Sequence, residues 1–196
     1  MTEAKDTFLH WNYFLALEHD LDTCARFIEF AENNYNSYSI EFTHLLLASS
    51  SEIDVVAKSI CALLDPTKHP ERINDYRTII VQGISGFSNE VVLIPRYNLT
   101  LTPWIDWEND SSPDWWKSYN NVKHQRDSHF EEANLKNTLN SMAALLVVVF
   151  YFYRLKLALE SGTEIDGRQV NLHLQPESRL LRFPDRYYYG TLITVS

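Results

Sequence analysis

The stretch Tyr119-Asn120-Asn121-Val122-Lys123-His124-Gln125-Arg126 holds the residue types in this chain best suited to chemistry. Wound as a helix at roughly 100° per residue, it carries Asn120, Lys123, His124 and Asp127 on one polar face. Trp115, Tyr119 and Val122 fall on a separate apolar face, with Arg126 at its edge. Histidine titrates near neutral pH and serves as general acid or base. Lysine and arginine hold a phosphate or steady a developing oxyanion. Together, His124, Asn120, Lys123 and Arg126 suit cleavage of an RNA phosphodiester by its own ribose 2′-hydroxyl, a reaction that needs no metal. The same face also suits a helix that is merely solvated, with Lys123 and Asp127 as an ordinary i,i+4 pair.

A second constellation is Ser51-Glu52-Ile53-Asp54-Val55-Val56-Ala57-Lys58. Asp54 and Lys58 form another i,i+4 pair. Glu52 lies off that side, and it suits a solvated surface, the cluster around His124, or a neighbouring helix as partner of a buried cation. The remaining histidines have no cysteine or carboxylate at the spacing of a structural zinc site, so no metal is expected. No phosphate-cradling glycine loop, dinucleotide fingerprint, HExxH or GxSxG occurs, and no cofactor is expected. Arg179, Arg182 and Arg186, beside Phe183 and three tyrosines, suit either stacking on bases or snorkelling from a structural strand.

Helices must position these residues. Phe14, Leu17, Leu21, Cys24, Ile28, Ala31 and Tyr35 recur at spacings of three and four, which predicts a first helix of roughly 25 residues capped by Asp6 or Thr7. A second runs from about Ser39 to Leu64, with small residues Ser49, Ser50 and Ser51 where another helix can approach closely. A shorter one follows from about Pro70 to Gln82. Ser112-Pro113-Asp114 predicts a helix start with a serine cap. The last helix, near Glu131 to Glu160, carries two apolar stripes, so it belongs at the centre of a bundle. Val91 to Ile94, Tyr97 to Thr102 and the tail from Val170 to Val195 are rich in β-formers.

The expected fold is therefore mainly α in a single domain, residues 1–196. Its helical core covers about 8–158, with a β-rich insertion at about 83–112 and a β-rich tail at about 165–196. The β appendage itself centres on about 88–102 and 170–195. The longest apolar stretch, Met142 to Tyr153, is short of the roughly twenty residues a membrane span requires, so no membrane association is expected. Cys24 and Cys61 sit among apolar residues, and with a polar N-terminus they point to buried free thiols in a reducing, cytoplasmic compartment. Net charge is −9, of which residues 1–66 contribute −8. So acidic a front half excludes broad duplex binding and offers a docking surface to a protein partner.

The Ser51-to-Lys58 segment, then Asn120, Lys123-His124-x-Arg126 leading into a long apolar final helix, resembles the HEPN superfamily. These are helical bundles of prokaryotic toxin–antitoxin, abortive-infection and CRISPR-associated proteins. The resemblance covers roughly residues 8–158. It implies a bundle of four or five helices, a homodimer whose two sites meet, and in catalytic members a metal-independent endoribonuclease. His124 matches the family's histidine and Asn120 its polar partner, with Glu52, Asp54, Lys58 and Tyr119 in support. The family's arginine stands four to six residues before its histidine. Here Lys117 comes nearest to that place upstream of His124, while Arg126 precedes His129 by only three. Two expectations follow: an RNA-cleaving protein of stress or phage defence using His124, or a non-catalytic module that docks a protein or nucleotide partner.

Overall fold

The computed structural model describes residues 7–189, which are mainly α-helical with a small β appendage. Five helices have eleven residues or more: α1 (Leu9–Cys24), α2 (Ile40–Leu64), α3 (Ile73–Gly83), α4 (Asp114–His124) and α6 (Leu135–Ser161). Two short ones complete the described set, α5 (Arg126–His129) and α7 (Gly167–His173). The centre is the pair α2 and α6, whose facing sides are closed to water. Leu139, Met142, Leu145, Leu146, Val148, Val149 and Phe150 of α6 are all buried. Each such apolar side chain contributes about 1.5–3 kcal/mol by leaving water. By length and composition α6 could cross a membrane, but α1, α2 and α4 pack against it and most of its surface is inside the protein.

Small hydroxyl residues bring the two central helices together. Ser49 donates to the Leu45 carbonyl at 2.7 Å and to Ser141 Oγ at 2.9 Å, and Thr138 donates to the Phe42 carbonyl at 3.3 Å. The close approach expected at Ser49 is present. Ser39 caps α2 by accepting from the Phe42 amide, Asn134 caps α6, and α6 ends at Gly162, whose φ of 67° an L side chain would strain.

Three expected elements differ. Helix α1 stops at Cys24, well short of Tyr35: the next amides bond three residues back, and the chain turns to pack Phe30 against Tyr97, 4.9 Å between ring centres. Phe8 stands at its N-cap without a side-chain bond, and Asp6 lies outside the described residues. At α4 the cap position belongs to Pro113, because the Ser112 hydroxyl is committed to Asn74 Oδ1 at 3.1 Å.

The expected β-rich tail is the third. The strands at 92–94 and 99–101 form an antiparallel hairpin, Val92 opposite Leu101, but residues 165–189 hold α7 and turns, joined to the hairpin by one bridge between Leu93 and Arg182. The reason is a carboxylate. Glu18, buried on α1, accepts the amides of Arg179, Leu180 and Leu181 at 3.1, 3.0 and 2.9 Å and the hydroxyl of Ser178. Backbone donors that would have built a strand are spent on one side chain. Further on, buried Glu90 accepts from the hydroxyls of Tyr151 at 2.6 Å and Tyr187, which ties the tail to α6. The part of the expected strand from Gly190 to Val195 lies outside the described residues.

Candidate functional site

Helix α4 is held by its apolar side. Trp115, Trp116, Tyr119 and Val122 are buried, and the Trp115 indole donates to the Pro103 carbonyl at 2.8 Å. Its other side faces α2 and the start of α3 across a cavity of about 500 Å³. Asp54 and Lys58 line it from α2, Tyr119, Asn120 and Lys123 from α4, and Arg72 from the entry to α3. Two groups of residues sixty positions apart in sequence thus meet in one place.

Within this cavity each group has a fixed role. Asp54 accepts from Lys58 Nζ at 2.5 Å and from the Tyr76 hydroxyl at 2.7 Å. Burial, and then the Asp54 hydrogen bond and charge, push the Tyr76 phenol well up, so it stays protonated and donating. Lys123 Nζ donates to the Tyr119 hydroxyl at 3.1 Å and lies 5.2 Å from that ring's centre. Asn120 Nδ2 donates to the Trp116 carbonyl at 3.1 Å. The Arg72 guanidinium has no hydrogen-bond or ion-pair partner among the described residues.

The other expected site residues stand apart. The helix ends at His124, because Gln125 takes φ −143° and ψ 52° and leaves the helical path. Asp127 and Arg126 therefore do not continue the polar face, and the Lys123–Asp127 pair does not form. His124 and Arg126 are exposed and without a side-chain partner among the described residues. Glu52 points the other way, to α1, where its Oε1 meets His10 Nδ1 at 2.5 Å. Glu52 therefore faces a neighbouring helix rather than the surroundings of His124.

A second polar cluster escaped the sequence reading. His129 Nδ1 lies 2.7 Å from Glu132 Oε1, and Asn121 Nδ2 donates to both Glu132 oxygens at 3.2 and 3.0 Å. Asn137 links in, donating to Ser118 Oγ at 3.0 Å and to the Glu132 carbonyl at 2.9 Å. Partial burial pushes the Glu132 carboxyl up, but hydrogen bonds from Asn121, His129 and Ser118 outweigh it and hold it below the usual range. The three-residue spacing of His129 and Glu132 was legible, whereas the His10–Glu52 contact across 42 positions had no local signal.

Among the described residues no three His, Cys, Asp or Glu side chains gather as they would around a metal ion. The chain matches no family model, no curated protein and no solved structure. What the arrangement can do is read from its own geometry: the cavity can hold an anionic or polar group between Lys58, Arg72 and Lys123, with Asn120 as a further donor.

Proposed function

We propose that this chain is a HEPN-like interaction module, non-catalytic, that docks a basic protein partner through its acidic front half. A place in bacterial stress or phage defence comes from the sequence resemblance alone. The carrying observation is the stretch of chain where α1 gives way to α2. Phe27 is 84% exposed and Ile40 63%, with exposed Tyr38 beside them in sequence and Glu29, Glu32 and Glu41 exposed in the same stretch. Burial, followed by the charges of Glu41 and Asp20, pushes the Cys24 thiol up. Large apolar side chains among carboxylates suit a partner with an apolar centre and a lysine- or arginine-rich rim. The pairing of Glu52 with His10, away from α4, and the end of α4 at His124 support a binding rather than a catalytic role.

A synthetic amphipathic helix with a leucine face and a lysine face is the test probe, with a glutamate-for-lysine version as its counterpart. Titrated by calorimetry, the lysine peptide should bind saturably and the glutamate peptide should not. Phe27→Ser combined with Ile40→Ser should weaken binding at least tenfold, with unchanged circular dichroism. Equal binding of both peptides, or full affinity in the double variant, would overturn the reading.

A second reading, a metal-independent endoribonuclease acting as a homodimer, draws on a different observation. Tyr119, Asn120 and Lys123 share a cavity with Asp54 and Lys58, and His124 follows Lys123 directly, open to solvent. In that reading Lys123 holds the RNA phosphate while His124 takes the 2′-hydroxyl proton, and a second copy brings the missing cation. Cleavage in EDTA that leaves a 2′,3′-cyclic phosphate and spares DNA would establish it.

A further inference from the structure

A cavity of about 780 Å³ lies in the tail, between α7, the hairpin turn and the segment pinned by Glu18. Four arginines line it: Arg96, Arg168, Arg179 and Arg182, against the two carboxylates of Asp166 and Glu177. Arginines are concentrated here in a chain whose net charge is −9. Three of the guanidiniums use one nitrogen each on a carboxylate: Arg96 on Asp22 at 2.7 Å, Arg168 on Asp166 at 3.0 Å and Arg182 on Asp185 at 2.8 Å. Each fork keeps further N–H groups free for an incoming oxyanion. Arg179 has no side-chain partner among the described residues.

The arginines are also held in place before any ligand arrives. The Arg179 backbone is fixed by its amide on buried Glu18 at 3.1 Å. Arg182 exchanges both backbone bonds with Leu93, at 2.8 and 2.9 Å, and lays its guanidinium 4.7 Å from the Tyr188 ring centre. Leu172 and Tyr189, both exposed, add apolar surface to the same lining. The volume falls in the range of small-molecule sites and far exceeds what one phosphate ion fills.

We infer that this cavity binds a small organic phosphate, its phosphoryl group on Arg179 and Arg182 and a flat or apolar body against Leu172 and Tyr189. Guanidinium forks match phosphate oxygens bidentately, and Arg179, whose guanidinium has no carboxylate partner among the described residues, supplies the charge for the anion. This site is independent of the docking patch and of the α4 cavity, and its test reads neither.

Naphthyl phosphate, inorganic phosphate and naphthol serve as probes by calorimetry on the full chain. Naphthyl phosphate should bind saturably, inorganic phosphate at least tenfold more weakly, and naphthol not measurably. Arg179→Gln and Arg182→Gln should each weaken naphthyl phosphate at least tenfold. Arg26→Gln, an exposed arginine outside the cavity, should leave the affinity unchanged. Unchanged thermal melting shows that the exposed Arg179 variant is folded. No binding of naphthyl phosphate, equal binding of all three probes, or equal losses in the Arg179 and Arg26 variants would overturn the site.

Discussion

Glu52 Oε1 of α2 meets His10 Nδ1 of α1 at 2.5 Å, with both side chains mostly buried and the imidazole edge-on to Phe152 of α6 at 5.1 Å. Three helices converge on this pair, so the carboxylate belongs to the packing of the bundle. Glu52→Ala should cost about 1.5–3 kcal/mol in urea unfolding, the range of a hydrogen bond to a charged group. Peptide and RNA binding should stay as in wild type. A variant of full stability with altered binding would return Glu52 to a functional site.

The central position of α6 sets a contrast between two leucines on the same helix. Leu146 is 2% exposed and Leu159 65%. Leu146→Ala should cost about 2–5 kcal/mol, transfer and cavity together, whereas Leu159→Ala should stay within about 0.5 kcal/mol. Equal costs for the two would mean that the core lies elsewhere.

The Glu132 cluster has a pH signature. Its carboxyl titrates below the ordinary value of 4.5 in the folded protein, so the charged form is what the fold stabilises. The stability gained is complete above the unfolded carboxyl's pKa and is lost as pH falls through the folded one. Wild type should therefore exceed Glu132→Gln in stability at neutral pH, with the gap closing on acidification below 4.5. A gap independent of pH would contradict the assignment.

Cys61 is closed to solvent, and burial first and Asp75 second push its thiol up to about 12. Neither Cys61 nor buried Cys24 is a reactive nucleophile. At pH near 8 a disulfide reagent should modify both only as fast as the protein opens, and at once in denaturant. Prompt labelling of the folded protein would show that α2 or the end of α1 is less well packed than described.

How much of this was legible in the sequence depended on the range of the interaction. The stripes of α2 and α6 and the small residues of their crossing follow from periodicity, because burial on a helix repeats every three or four residues. The end of α1 did not show, since Ile28, Ala31 and Tyr35 keep the spacing after the backbone has turned to bury Phe30. The tail misled for a related reason: its β-formers are real, but Glu18, some 160 residues earlier, takes the amides a strand would share. Likewise the polar face through Asp127 required an unbroken helix, and the chain leaves the helical path at Gln125. The meeting of Asp54 and Lys58 with Tyr119, Asn120 and Lys123 was nominated as two separate clusters, and only tertiary packing made them one.

The choice between a docking module and a nuclease rests on His124. Purified wild type and His124→Ala, each incubated with labelled single-stranded RNA with and without EDTA, decide it most directly. A docking module leaves the RNA equally intact in all four reactions, even at enzyme excess. Cleavage by wild type in EDTA that falls about 10²–10⁴-fold in His124→Ala, the range for loss of a general acid–base group, would contradict the account and make this chain a ribonuclease.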